Sequence, residues 1–171
     1  SVLNQLSTEV SELKTKFTTH NQRLIAIQKR HNMTPSIWPI YGFIKSNYGP
    51  RYDPFSGAQT FHKGIDIPSW VGAPIKATAD GIVEFSGWVR GYGFVIILNH
   101  SYGLRTYYAH MSLLMAKEGA YIKKGDIIGK IGSTGRSTGP HVHYEIRKWN
   151  KSLHPRRYLD NDMFTAYRSL W

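Results

Sequence analysis

The chain has no cysteine. Structural disulfides and thiolate-held metals are therefore excluded, and any transition metal must be held by histidine and carboxylate. No apolar run approaches the roughly 18 residues of a membrane span, and the start lacks the basic-then-apolar pattern of a secretory leader. Acidic residues are scarce, 11 against 22 lysines and arginines, which gives a formal net charge of +11 over 171 residues. Such an excess favours encounters with anionic polymers: nucleic acid, an acidic lipid surface or an anionic cell-envelope polymer. The basic residues are scattered, with no stripe and no known nucleic-acid motif, so nucleic acid is not the expected partner. With 41% hydrophobic and 19% charged residues the composition is that of an ordinary globular protein, long enough for one packed domain and an additional segment.

Glycine and proline are missing from the first 32 residues. There Leu3, Leu6, Val10, Leu13, Phe17, Leu24 and Ile27 recur at alternating spacings of three and four, and His20 takes the one seam position that is not apolar. This heptad seam predicts a helix over residues 1–33 with a narrow apolar stripe. The stripe serves either as the end of a coiled coil or as the face by which the helix packs on its own domain. His20 reads as a polar register or interface residue, not a ligand. Because the pattern is already running at Ser1, the chain is expected to be part of a longer protein. Pro35 and Pro39 then stop the helix and make residues 34–39 a linker.

From residue 40 onward short apolar runs alternate with glycine-rich turns. Strands are expected at 64–67, 74–77, 81–86, 94–99, 104–110, 127–131 and 141–148, which argues for a mainly β, antiparallel domain over 40–160. Residues 161–171 carry Phe164, Tyr167 and Leu170 at helical spacing and predict a short C-terminal helix. The loop Ser133-Thr134-Gly135-Arg136-Ser137-Thr138-Gly139-Pro140 lacks the Gly-Lys-Ser/Thr ending of a phosphate-binding loop and reads as a turn.

Three short motifs carry candidate chemistry. His141 and His143 lie two apart in a run rich in Val, Tyr and Ile, so strand alternation points both to one face. His62 and Asp66 lie four apart, in a loop running into a strand. His110 closes a segment in which alternation places Thr106, Tyr108 and His110 on one face. A catalytic zinc takes three protein ligands and leaves one position open. His62, Asp66 and either His141 or His143 would supply such a set, leaving one histidine of the pair for proton transfer. Glu145 shares the face of the pair and suits either a buttress for a ligand or a structural ion pair. His100 and His154 read as turn residues.

These motifs, in this order, resemble the lysostaphin-type (LytM-type) zinc metallopeptidases that cut peptide bonds in bacterial peptidoglycan. The similarity extends to Tyr48-Gly49-Pro50-Arg51-Tyr52-Asp53-Pro54, Ala79-Asp80-Gly81-Ile82-Val83, Gly91-Tyr92-Gly93, Gly125-Asp126-Ile127-Ile128-Gly129 and Pro155-Arg156-Arg157-Tyr158-Leu159. His154 stands where the family usually has Asn. The resemblance implies a small antiparallel β domain with a groove. It also implies one zinc per chain held by His62, Asp66 and His143, with His110 and His141 performing proton transfer and charge stabilisation beside the metal. It implies a peptidoglycan peptide substrate and a cell-envelope location, periplasmic or extracellular. Some family members have lost metal ligands and act as wall-binding or hydrolase-activating modules, but every ligand is present here. Docking of a protein partner through the N-terminal helix, or self-association through it, is the accompanying expectation.

Overall fold

The computed structural model describes residues 1–160. The chain divides into two compact units, Ser1–Asn32 and the remainder from Met33.

The first unit is one helix, α1 (Val2–Asn32), 31 residues long. It ends where Pro35 disfavours helical backbone at Thr34, and its last turn carries Lys29, Arg30 and His31, which complement the negative end of the helix dipole. None of its residues is buried. Among the described residues no helix is long and apolar enough to cross a membrane.

The second unit is built of strands: β1 (Gly49–Tyr52), β2 (Gln59–His62), β3 (Ile65–Pro68), β4 (Pro74–Lys76), β5 (Gly81–Val89), β6 (Gly93–Asn99), β7 (Leu104–Leu114), β8 (Tyr121–Ile122), β9 (Ile127–Ile131), β10 (His141–Lys148) and β11 (Lys151–Leu153). A 3-10 turn, Pro155–Arg157, follows. All pairings among the described residues are antiparallel, as expected for this mainly β fold. β1 and β2 form a separate hairpin. The other nine strands form one sheet, with β11-β10-β7-β6-β5-β8 as its path, β3 on β10, and β9 joining β4 to β7. The pattern 127–131 and 141–148 matches β9 and β10, whereas β1, β2, β8 and β11 were not anticipated. His62, expected in a loop, is the last residue of β2. The helix expected at 161–171 lies outside the described residues.

Alternation along β10 explains its double duty. Val142, Tyr144 and Ile146 are fully buried and join Ile65, Ile67, Ile96, Leu98, Met111 and Ile131 in the core, while His141, His143, Glu145 and Arg147 share the opposite face. The core also contains hydrogen-bonded polar groups. Thr78 Oγ1 meets the hydroxyls of Tyr108 (3.0 Å) and Tyr144 (2.8 Å), and Thr106 Oγ1 bridges Tyr108 (3.0 Å) and His100 Nε2 (2.6 Å). His100 Nδ1 donates to the Asp80 carbonyl at 2.6 Å. His100, at the turn between β6 and β7, is thus a wholly buried member of a hydrogen-bonded chain.

Candidate metal centre

Register brings the ligand candidates together. Asp66 on β3 is the direct cross-strand partner of His143 on β10, and β2 delivers His62 from the hairpin. The donor atoms form a small triangle. His62 Nε2 lies 3.1 Å from Asp66 Oδ1 and 3.0 Å from His143 Nδ1, and His143 Nδ1 lies 2.8 Å from Asp66 Oδ1. Among the described residues this is the group of histidine and acidic side chains arranged to hold a metal ion.

The opposite edge of each ring is anchored. His62 Nδ1 meets the Asn47 carbonyl at 2.8 Å, and His143 Nε2 meets Glu145 Oε1 at 2.9 Å. Carbonyls and carboxylates only accept, so the outer nitrogens carry the protons and a neutral ring turns a bare lone pair inward. Two bare nitrogens and a carboxylate oxygen then face one another, an arrangement that only a cation or added protons can satisfy. A tetrahedral zinc with ligands at about 2.0–2.1 Å separates its ligand atoms by about 3.3 Å, close to this triangle. The donor set fits zinc in type, number and spacing.

The electrostatics agree with a site built for positive charge. Burial alone would raise the Asp66 carboxyl, but hydrogen bonds and charge from His143 and His62 outweigh it and hold the group well below the usual range. Burial pulls His143 down, yet Asp66 and Glu145 lift it to about 9. Without a cation the ring therefore takes a second proton on Nδ1, which a metal displaces. Glu145 is 1% exposed; burial would raise its carboxyl, but His143 and Arg147 bring it to about 2. Both functions anticipated for Glu145 coexist, because its Oε2 accepts from Arg147 Nε at 2.7 Å while its Oε1 accepts from the Tyr92 hydroxyl at 2.8 Å. Arg51, carried in the sequence only as part of the resemblance, donates from Nη1 to Asp66 Oδ2 at 3.0 Å, leaving Oδ1 to the histidines.

His110 and His141 lie beside the triangle, their ring centroids 4.7 Å apart. His141 Nδ1 donates to the Gly139 carbonyl at 2.7 Å and its Nε2 is 3.6 Å from Asp66 Oδ1. His110 Nδ1 donates to the Thr134 carbonyl at 2.8 Å. Burial lowers both histidines, His110 to about 4 with help from the charges of His141 and His143.

The route by which His110 reaches the site differs from simple alternation. Thr106 and Tyr108 face the core, and regular alternation would send His110 there too. Instead β7 changes neighbours at this residue: Ala109 pairs with His143 on β10, and Met111 pairs with Ile131 on β9. Between them His110 adopts φ +61°, a left-handed conformation that histidine tolerates better than most side chains. That local kink lets the ring join the groove. Tyr108, the other residue on the expected face, is a core residue. His154 stacks near Tyr48, 5.2 Å between centroids, and takes no part in the site.

The five histidine and aspartate side chains lie in a groove of about 600 Å³. One wall is the β1–β2 hairpin with Arg51, Phe55 and Phe61, and the other is the loop carrying Arg136, Thr138 and Pro140. Arg136 Nη2 pairs with Asp53 Oδ1 at 2.6 Å and its guanidinium lies 4.5 Å from the Phe55 ring centroid, tying the walls together.

The sequence profile of peptidase family M23 matches residues 60–155. The chain belongs to peptidase family M23. The DD-carboxypeptidase/endopeptidase Mpg of Neisseria meningitidis is 41% identical over 116 residues, 68% of this chain and 27% of that protein. The murein hydrolase activator NlpD of Salmonella dublin is 39% identical over 123 residues, 71% of this chain and 30% of that one. The chain thus spans less than a third of the length of these M23 relatives. Among solved structures, the catalytic domain of the antimicrobial peptidase lysostaphin from Staphylococcus simulans superposes with a TM-score of 0.63 at 33% identity, covering 68% of this chain and 91% of that domain. The lysostaphin-type resemblance read from the motifs is thereby borne out, as is the antiparallel β architecture.

Proposed function

We propose that this chain is a zinc-dependent endopeptidase that hydrolyses peptide bonds in the cross-links or stem peptides of bacterial peptidoglycan. Residues 40–160 form the peptidase domain of this reading, joined through 34–39 to the helical segment 1–33, and the cell envelope is its place of work. The observation that carries it is the inward convergence of His62 Nε2, Asp66 Oδ1 and His143 Nδ1 beside two further histidines in an open groove. A zinc ion held by these three atoms supplies a Lewis acid for the scissile carbonyl and lowers the pKa of water.

The protein's own groups do the rest. His110 and His141 are neutral at pH 7, because burial lowers both. Each is fixed through Nδ1 to a backbone carbonyl, so Nε2 is the nitrogen that accepts a proton from water and returns it to the leaving amine. Once protonated, the same rings stabilise negative charge developing on the carbonyl oxygen. Lys45, Arg51 and Arg136 line the groove, where Arg51 is paired with Asp66 and Arg136 with Asp53.

Digestion of purified peptidoglycan with the zinc-loaded protein, followed by mass spectrometry of the products, tests the reading. Expected is loss of cross-linked or intact stem peptides, absent with His141→Ala. An unchanged product spectrum overturns it. The similarity to NlpD favours a second reading, a module that activates a separate wall hydrolase. Under that reading chelated protein stimulates the partner hydrolase as well as metal-loaded protein does.

A further inference from the structure

We infer that α1 pairs with α1 of a second copy of this chain as a parallel, in-register, two-stranded coiled coil. The seam shares no residue with the metal centre, and the inference stands whichever reading of that centre holds. The helix has no buried residue, and the seven apolar side chains of its seam are between 47% and 78% exposed. With His20 counted, the seam positions alternate at spacings of three and four, the heptad period that keeps a stripe facing a partner along a left-handed supercoil. With Leu3, Val10, Phe17 and Leu24 at the first core position of each heptad, Leu6, Leu13, His20 and Ile27 occupy the second.

The flanking charges select the occupant. In a parallel, in-register pair each residue before a first-position core residue faces the residue five places later on the other copy. Glu9 then meets Lys14 of the second copy, twice per dimer, while Lys16 meets Asn21 and Arg23 meets Gln28. No like charges oppose one another. The antiparallel pairing that aligns the same core layers gains Glu9 against Arg23, but it sets Lys14 against Lys14 and Lys16 against Lys16. The charges therefore favour the parallel arrangement. His20 then faces its own counterpart, a single polar layer in an otherwise apolar seam, which fixes the register.

The test uses the full chain in sedimentation velocity at micromolar to submillimolar concentrations. The expected mass is twice 19.6 kDa, reduced to the monomer by Leu13→Lys. Glu9→Lys is expected to weaken the dimer roughly tenfold by turning two attractive pairs into repulsive ones, and Glu9→Lys combined with Lys14→Glu to restore it. Because the chain has no cysteine, Leu6→Cys reports orientation cleanly: oxidation yields a covalent homodimer only if the helices are parallel. A monomer at every concentration overturns the inference. So does a dimer indifferent to Leu13→Lys, or cross-linking of Leu6→Cys only when mixed with Leu24→Cys. Unchanged metal content in each variant establishes that the β domain is intact.

Discussion

Glu145 Oε1 lies 2.9 Å from Nε2 of His143, the residue two positions before it on the same face of β10. The carboxylate thereby determines which nitrogen of the ring carries the fixed proton and which faces Asp66. Glu145→Ala is expected to lower zinc affinity about 10–100-fold, with Glu145→Gln intermediate because its amide oxygen still accepts. Competition with a chromogenic chelator measures this, and an unaltered affinity removes Glu145 from that part.

His110 and His141 are placed beside the triangle but outside it. Either one replaced by alanine should leave stoichiometric metal in place while peptide cleavage falls by roughly 10²–10⁴-fold. Elemental analysis and turnover on the same preparation separate this outcome from loss of the metal, which is expected of His62→Ala and Asp66→Ala.

Gly64 lies between two ligand candidates, where the backbone passes closely over β10. A Cβ there would run into the Tyr144 carbonyl oxygen and stand 2.9 Å from Glu145 Cγ and 3.0 Å from His143 Cε1. Gly64→Ala should destabilise the domain by about 2 kcal/mol or more and reduce bound metal. Thermal melts with and without zinc would reveal both effects.

His100 makes folding stability sensitive to acid. Burial lowers its pKa to about 4, against 6.5 for the ordinary side chain, while the Asp80 carbonyl opposes the shift. The folded state keeps the ring neutral and the unfolded chain binds the proton, so this stabilisation is complete above pH 6.5. It declines as pH falls and is gone below about 4, an effect of about 3 kcal/mol. Urea midpoints measured from pH 7 to 4 should therefore fall less steeply in His100→Gln than in the parent chain. Parallel curves would contradict the assignment.

Much of this arrangement was legible from residue order, and the parts that were not share a physical reason. β9 and β10 were bounded correctly because apolar periodicity is strongest where strands are buried. β1, β2, β8 and β11 escaped because strands of two to four residues, mostly exposed, leave too few positions for a period to register. The motifs narrowed the cluster to His62, Asp66 and one of His141 and His143, and only the family resemblance chose His143; its anchoring was not legible at all. Asn47, Thr134 and Gly139 act through backbone carbonyls, which any residue supplies. The turn of His110 into the groove was invisible for a related reason, since it depends on β7 exchanging one neighbour for another at that residue.

The ligand triangle also has a mechanical consequence for a chain without disulfides. His143 lies 77 residues from Asp66 and 81 from His62 along the sequence, so an ion gripping all three closes two very long loops at a single point. Such a cross-link acts as a removable staple on the sheet: the ion binds the folded chain and is released on unfolding, so it adds stability that grows with the logarithm of free metal. Chelation should lower the melting temperature and open the β2–β3 segment to proteases together, because no other covalent or coordinate tie among the described residues spans it.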